Sequence, residues 1–185
     1  MRKSLISLSA GLVVIGTAVL IAGVWFSGTL PNHSADETGQ NVAVSIASEL
    51  EKHALLPFED DQLSQPSTAQ VFIDPDGVLL AFEADFGPPE NYRSVAMHVY
   101  FDPSDIGVIR LEGNELRFAC LGGAKCIKTE RHTELSMPIV RTFVDAPRQE
   151  DKLVISLASA ALAVQQRMRD AFVRGFESLG VKLAR

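Results

Sequence analysis

The sequence predicts an α+β fold: an antiparallel β-meander or bent sheet of six to seven strands, packed by a long C-terminal amphipathic helix and preceded by an N-terminal transmembrane helix. Three observations carry this reading. An uncharged apolar run extends from Leu5 to Phe26. Short period-two or continuously apolar segments, separated by turn residues, recur from Gln70 to Phe143. Toward the C-terminus apolar residues instead recur alternately four and three apart, the period of a helix face.

At about 1.5 Å of rise per residue, the Leu5–Phe26 run is long enough to cross a hydrocarbon core of roughly 30 Å. Arg2 and Lys3 precede it, and basic flanks stay on the cytoplasmic side. Residues 1–30 therefore read as a signal anchor, with the C-terminal domain extracytoplasmic. Trp25 and Phe26 fall where an interfacial aromatic anchor sits. The alternative is a secreted or periplasmic protein released by signal cleavage. A cleaved signal has an apolar region of about 7–15 residues, shorter than this one. Ser7/Gly11 and Ala18/Ala22 are small-xxx-small pairs of the kind that let membrane helices approach closely.

Residues 31–40 are polar and turn-rich and read as a tether; residues 41–185 then suit one domain with one core. Two of the 17 basic and none of the 23 acidic residues precede residue 31, leaving a net charge of −8 beyond it. An acidic domain argues against nucleic acid as a partner. The expected partners are the membrane, through residues 5–26, and a protein or a second copy of the chain.

Val42, Ile46, Leu50 and Ala54 recur every four residues, predicting a helix over 41–56 that Pro57 stops. Gln70–Ile73 and Val78–Asp85 read as strands about an Asp74-Pro75-Asp76-Gly77 turn. Ser94–Phe101 is the next strand, with Val95, Met97, Val99 and Phe101 on one face. Asp102-Pro103-Ser104-Asp105 turns the chain into Ile106–Leu111, and Glu112-Gly113-Asn114 turns it again. Glu115–Cys120 and Lys125–Glu130 read as a hairpin about Gly122-Gly123, which sets Cys120 opposite Cys126. Glu134–Phe143 is a last strand, interrupted at Pro138. From Arg148 to Leu179 the stripe Leu157, Ala161, Val164, Met168, Ala171 and Gly175 predicts one long helix, capped by Asp145 or Asp151 and ended by Gly180. Such a helix covers the apolar face that a meander leaves bare.

This order of elements over residues 70–180, strands followed by one C-terminal helix, resembles the pleckstrin-homology-like architecture. The resemblance implies a helix capping one end of a strongly bent sheet, and a binding or scaffolding role. It transfers no ligand residues. The tryptophan often found in the last helix of pleckstrin-homology domains has no counterpart, because the only tryptophan is Trp25.

Cys120 and Cys126 are expected to form a disulfide, the usual fate of paired cysteines in an oxidising compartment. A metal site with His98 or His132 is the alternative. The five residues between the cysteines fit neither the short knuckle of a zinc site nor the Cys-x-x-Cys of a redox dithiol. His33, His53, His98 and His132 read as surface residues, with His98 facing away from Met97 and Val99. A twelve-residue calcium loop with Asp74 at its third position and Glu83 at its twelfth fails because Phe72 occupies its first ligand position. Glu59-Asp60-Asp61 reads as a solvated acidic loop, and no phosphate loop or nucleophile elbow is visible. The expected function is a membrane-anchored binding or interaction domain, without cofactor, metal or catalytic residues. The alternatives are an exported soluble enzyme or inhibitor, and a structural module oligomerising through the anchor or the last helix.

Overall fold

A computed structural model describes residues 37–59, 62–88, 92–136 and 140–184. The Leu5–Phe26 run, His33, Asp60 and Asp61 lie outside these residues. Among the described residues no helix is long and apolar enough to cross a membrane. Residues Ala35–Arg185 make one compact unit of α+β architecture.

Helix α1 (Glu37–His53) begins inside the segment expected to be a tether and ends three residues before Leu56. Ala43, Ile46 and Leu50 form its buried stripe, and Ala54 just beyond it is also buried. Pro57 does not act as the helix stop, because it already belongs to the short hairpin β1 (Leu56–Glu59) and β2 (Gln62–Ser64).

The larger sheet is built from β3 (Thr68–Asp74), β4 (Gly77–Phe86) and β5 (Arg93–Phe101) as successive antiparallel neighbours. The Asp74–Gly77 turn forms as the sequence indicates: Asp74 Oδ1 accepts the amides of Asp76 and Gly77, each at 3.0 Å. At the next turn Asp102 Oδ1 accepts the Ser104 amide at 2.7 Å, and the chain leaves the sheet. β6 (Ile106–Glu112) and β7 (Glu115–Cys120) pair with each other in a second sheet. β8 (Ile127–Ser136) then returns to the first sheet and pairs with β5.

Two expectations are corrected here. Cys120 and Cys126 do not face each other across a hairpin, since β7 and β8 belong to different sheets. The segment from Arg148 is not helical either. After β9 (Val140–Val144), which overlaps the segment expected as the last strand, it forms β10 (Arg148–Glu150) and β11 (Lys152–Ser156), with the last helix, α2, confined to Leu162–Ser178. The physical reason lies in the spacing. Leu153 and Leu157 are four apart, a separation that suits both a helix face and a strand face. Ile155 between them is also buried, which only period two allows. Among the described residues eleven strands stand where six or seven were expected.

β9, β10 and β11 act as one long, broken strand. β9 and β10 pair in turn with the free edge of β8, and β11 pairs with β7. Opposite Glu150 lies Ile127; two residues further on, Lys152 faces Ala119 rather than residue 125. The partner strand thus omits six residues, Leu121–Cys126, as a loop. The ladder passes from one sheet to the other at Asp151, whose carbonyl accepts the Cys120 amide at 2.9 Å.

The core lies between the sheets and the helices. Phe101 of the larger sheet, Phe118 of the smaller one, and Phe172 and Phe176 of α2 form an aromatic cluster, with centroids 4.9 Å apart for Phe118–Phe172 and 5.8 Å for Phe101–Phe118. α2 packs on α1 where Gly175 meets Val42 and Ile73; a Cβ at Gly175 would stand 3.2 Å from Ile73 Cδ1. Ala161, not an aspartate, occupies the N-cap of α2 without a side-chain hydrogen bond. Buried Gln165 instead ties down the preceding turn, its Nε2 donating to the carbonyls of Ala160 (2.9 Å) and Leu157 (3.2 Å). Gly180 ends the helix as expected. It has φ +81°, its amide donates to the Glu177 carbonyl, and the Val181 amide donates to the Phe176 carbonyl.

Candidate binding groove

A groove of about 260 Å³ runs beside the broken strand on the core side of the larger sheet. Its apolar wall comes from Leu56 of β1, Met97 and Val99 of β5, and Leu153 and Val154 of β11. Met97 and Val99 point inward because the Ser94–Phe101 alternation turns them to the face opposite His98, as the sequence indicates. Arg131, Arg148 and Lys152 line the groove as cations, and Asp145 and Glu150 as anions. Arg131 is fixed across the groove, its Nη2 donating to the Pro57 carbonyl at 2.7 Å. Thr129 supplies the hydroxyl among the lining residues, which include no serine, cysteine or histidine. An apolar wall with a mixed-charge rim suits an extended amphipathic ligand.

The groove residues were not singled out as a site in the sequence. The signal that could have revealed them is the alternation Arg148, Glu150, Lys152 against buried Leu153, Ile155 and Leu157, which the four-residue spacing concealed.

The histidines part company. His53 sits at the end of α1, with Nε2 3.8 Å from Glu49 Oε2. His98 and His132 come together on the outer face of the larger sheet, their ring centroids 5.3 Å apart. They meet because β5 pairs with β8 in the register His98↔Glu130 and Ala96↔His132, which makes them diagonal neighbours. Glu130 lies 3.8 Å from His132 Nε2 and 2.6 Å from Lys128 Nζ. Burial, then the neighbouring His132, holds His98 below its ordinary pKa. The hydrogen bond from Lys128 holds Glu130 below the usual carboxylate range. Burial, then Glu130, raises the Tyr100 phenol. The alternative of a metal held by the cysteines with His98 or His132 is not what forms, because both cysteines are joined in a disulfide with Cα–Cα 5.9 Å. Among the described residues no group of three or more His, Cys, Asp or Glu is placed to hold a metal ion.

Cys120 and Cys126 close the six-residue loop at the point where the ladder changes sheets. The Cys126 amide lies 3.2 Å from Cys120 Sγ. The bridge therefore sits at the end of the groove, against Asp151 and Glu150. Comparison of the chain with protein-family models, curated proteins and solved structures found no match, so the pleckstrin-homology-like order of elements assigns it to no family.

Proposed function

We propose that this chain is a single-pass membrane-anchored protein whose extracytoplasmic domain is a binding module, and that the groove beside β10 and β11 is its ligand-binding surface. The observation that carries the binding reading is the make-up of the groove: apolar Leu56, Met97, Val99 and Leu153 beneath a rim of Arg131, Arg148 and Lys152. The anchor reading rests on the uncharged Leu5–Phe26 run behind Arg2 and Lys3. The Cys120–Cys126 bond supports an oxidising, extracytoplasmic compartment. Oligomerisation through the last helix draws less support, because Met168, Phe172 and Phe176 of its apolar face are buried in the domain's own core.

The groove is tested with an anionic aromatic dye, anilinonaphthalene sulfonate, added to the full chain in a non-ionic detergent chosen for low dye background. Saturable fluorescence is expected, and it should fall at least several-fold in Val154→Arg and in Arg148→Glu. Both positions are partly or fully exposed, so the fold should tolerate them. Equal dye binding by all three proteins would sink the groove reading. The anchor is tested separately by intact mass and alkaline extraction of membranes. A protein shorter by about the first 30 residues and released by alkali would replace the anchor with a cleaved signal.

A further inference from the structure

We infer that the free edge of β9 is a self-association surface that pairs with β9 of a second copy of this chain. This inference is independent of the groove reading.

β9 pairs only with β8 among the described residues, and all five of its residues are exposed. Val140, Phe143 and Val144 are 60%, 50% and 61% exposed. An edge strand is normally blunted by proline, lysine, a bulge or extreme shortness. β9 carries none of the first three: its sequence is Val-Arg-Thr-Phe-Val, in unbroken register with β8 from Val140↔Ser136 to Val144↔His132.

The backbone polarity of this edge is defined. The Asp145 amide donates to the carbonyl of Arg131, the residue directly opposite it, at 2.9 Å. Hydrogen-bonded pairs alternate along an antiparallel ladder. Arg141 and Phe143 therefore also turn their amides and carbonyls to β8, while Thr142 and Val144 turn theirs outward. Two β9 strands related by a twofold axis at Phe143 satisfy these groups. Thr142 of each copy exchanges two hydrogen bonds with Val144 of the other, and Phe143 faces Phe143 as a non-hydrogen-bonded pair.

Charge selects this register. Centring on Phe143 sets Arg141 of each copy directly opposite Asp145 of the other. Neither side chain has a salt bridge among the described residues. Centring on Arg141 would place two guanidinium groups face to face, and centring on Thr142 would set Arg141 against Phe143 and leave both charges unmatched. Opposite charges directly across a ladder are favourable and like charges are not. Pro147 lacks an amide and limits the ladder soon after Asp145. So short a ladder buries little surface, and the association is weak unless the copies are concentrated together.

The test uses the full chain, with the native disulfide intact by mass. Phe143→Cys should cross-link to a dimer under mild oxidation, because non-hydrogen-bonded partners bring their Cβ atoms closest. Thr142→Cys should cross-link several-fold less, and Val44→Cys, on the exposed side of α1, should set the background. In the Phe143→Cys protein, Arg141→Asp and Asp145→Arg should each lower the dimer yield by about tenfold. Mixing those two variants should restore it, because each supplies the charge the other lacks. Cross-linking of Phe143→Cys no greater than Val44→Cys would overturn the proposal. So would a dimer indifferent to both charge changes, which association through the N-terminal run would give, or a cross-linked product whose mass shows a different protein.

Discussion

Cys120 and Cys126 are bonded with their Cα atoms 5.9 Å apart, yet β7 and β8, the strands that they terminate and introduce, share no ladder. The bond does not staple a hairpin. It closes a loop left out of an otherwise continuous antiparallel track, at the point where β10 passes into β11 and one sheet gives way to the other. The bridge thereby ties β7 to β8 at this bend, next in sequence to groove-lining Glu150 and Lys152 of the facing strands.

Removing the bridge with Cys120→Ala/Cys126→Ala should cost roughly 2 kcal/mol, the value for a short closed loop. Urea unfolding checks this. The dye response of the groove should weaken in the same protein, because Glu150 and Lys152 flank the bend; an unchanged response would mean that the bend holds without the bond.

Phe172 is fully buried and meets Phe118 edge-on, so it joins α2 to the smaller sheet. Phe172→Ala should destabilise the domain by about 3–5 kcal/mol, while Phe172→Leu, which keeps most of the volume, should cost about 1–2 kcal/mol. Thermal unfolding distinguishes the two. Equal, small losses would place the aromatic cluster outside the cooperative core.

Gly180 has φ +81°, and a Cβ there would meet nothing within 4 Å. The cost of Gly180→Ala is then one of backbone conformation alone, about 1 kcal/mol. Chemical denaturation should show a shifted midpoint with an unchanged slope. A loss of several kcal/mol would mean that the end of α2 is packed more tightly than this.

His98 makes stability depend on pH. Burial, reinforced by His132, holds its folded pKa below the ordinary 6.5. As pH falls through about 6.5 the unfolded chain takes up the proton first, so stability declines until the folded imidazole also titrates. His98→Gln should therefore flatten the dependence of Tm on pH just below neutrality. Glu130, held below the usual carboxylate range by Lys128, acts at lower pH, where its contribution is lost as the carboxylate protonates. A wild-type and His98→Gln pair with parallel Tm profiles from about pH 7 to 5 would remove His98 as the source.

Local chemistry by itself determined much of this protein. The Asp74 and Asp102 turns, the faces of β5, the buried stripe of α1 and the glycine end of α2 follow from hydrogen bonds, alternation and backbone freedom within a few residues of one another. The cysteine pair was legible from composition and spacing. Tertiary structure decided which strands are partners. β7 and β8 look like a hairpin locally, but β7 is taken by β6 and β11, and β8 by β5, β9 and β10. Leu153, Ile155 and Leu157 could satisfy a helix face in part, and only the edge offered by β7 made the strand the lower-energy choice. The groove, the His98–His132 contact and the free edge of β9 all depend on pairing between residues distant in sequence. Periodicity encodes which side of an element is apolar, not which other element will cover it.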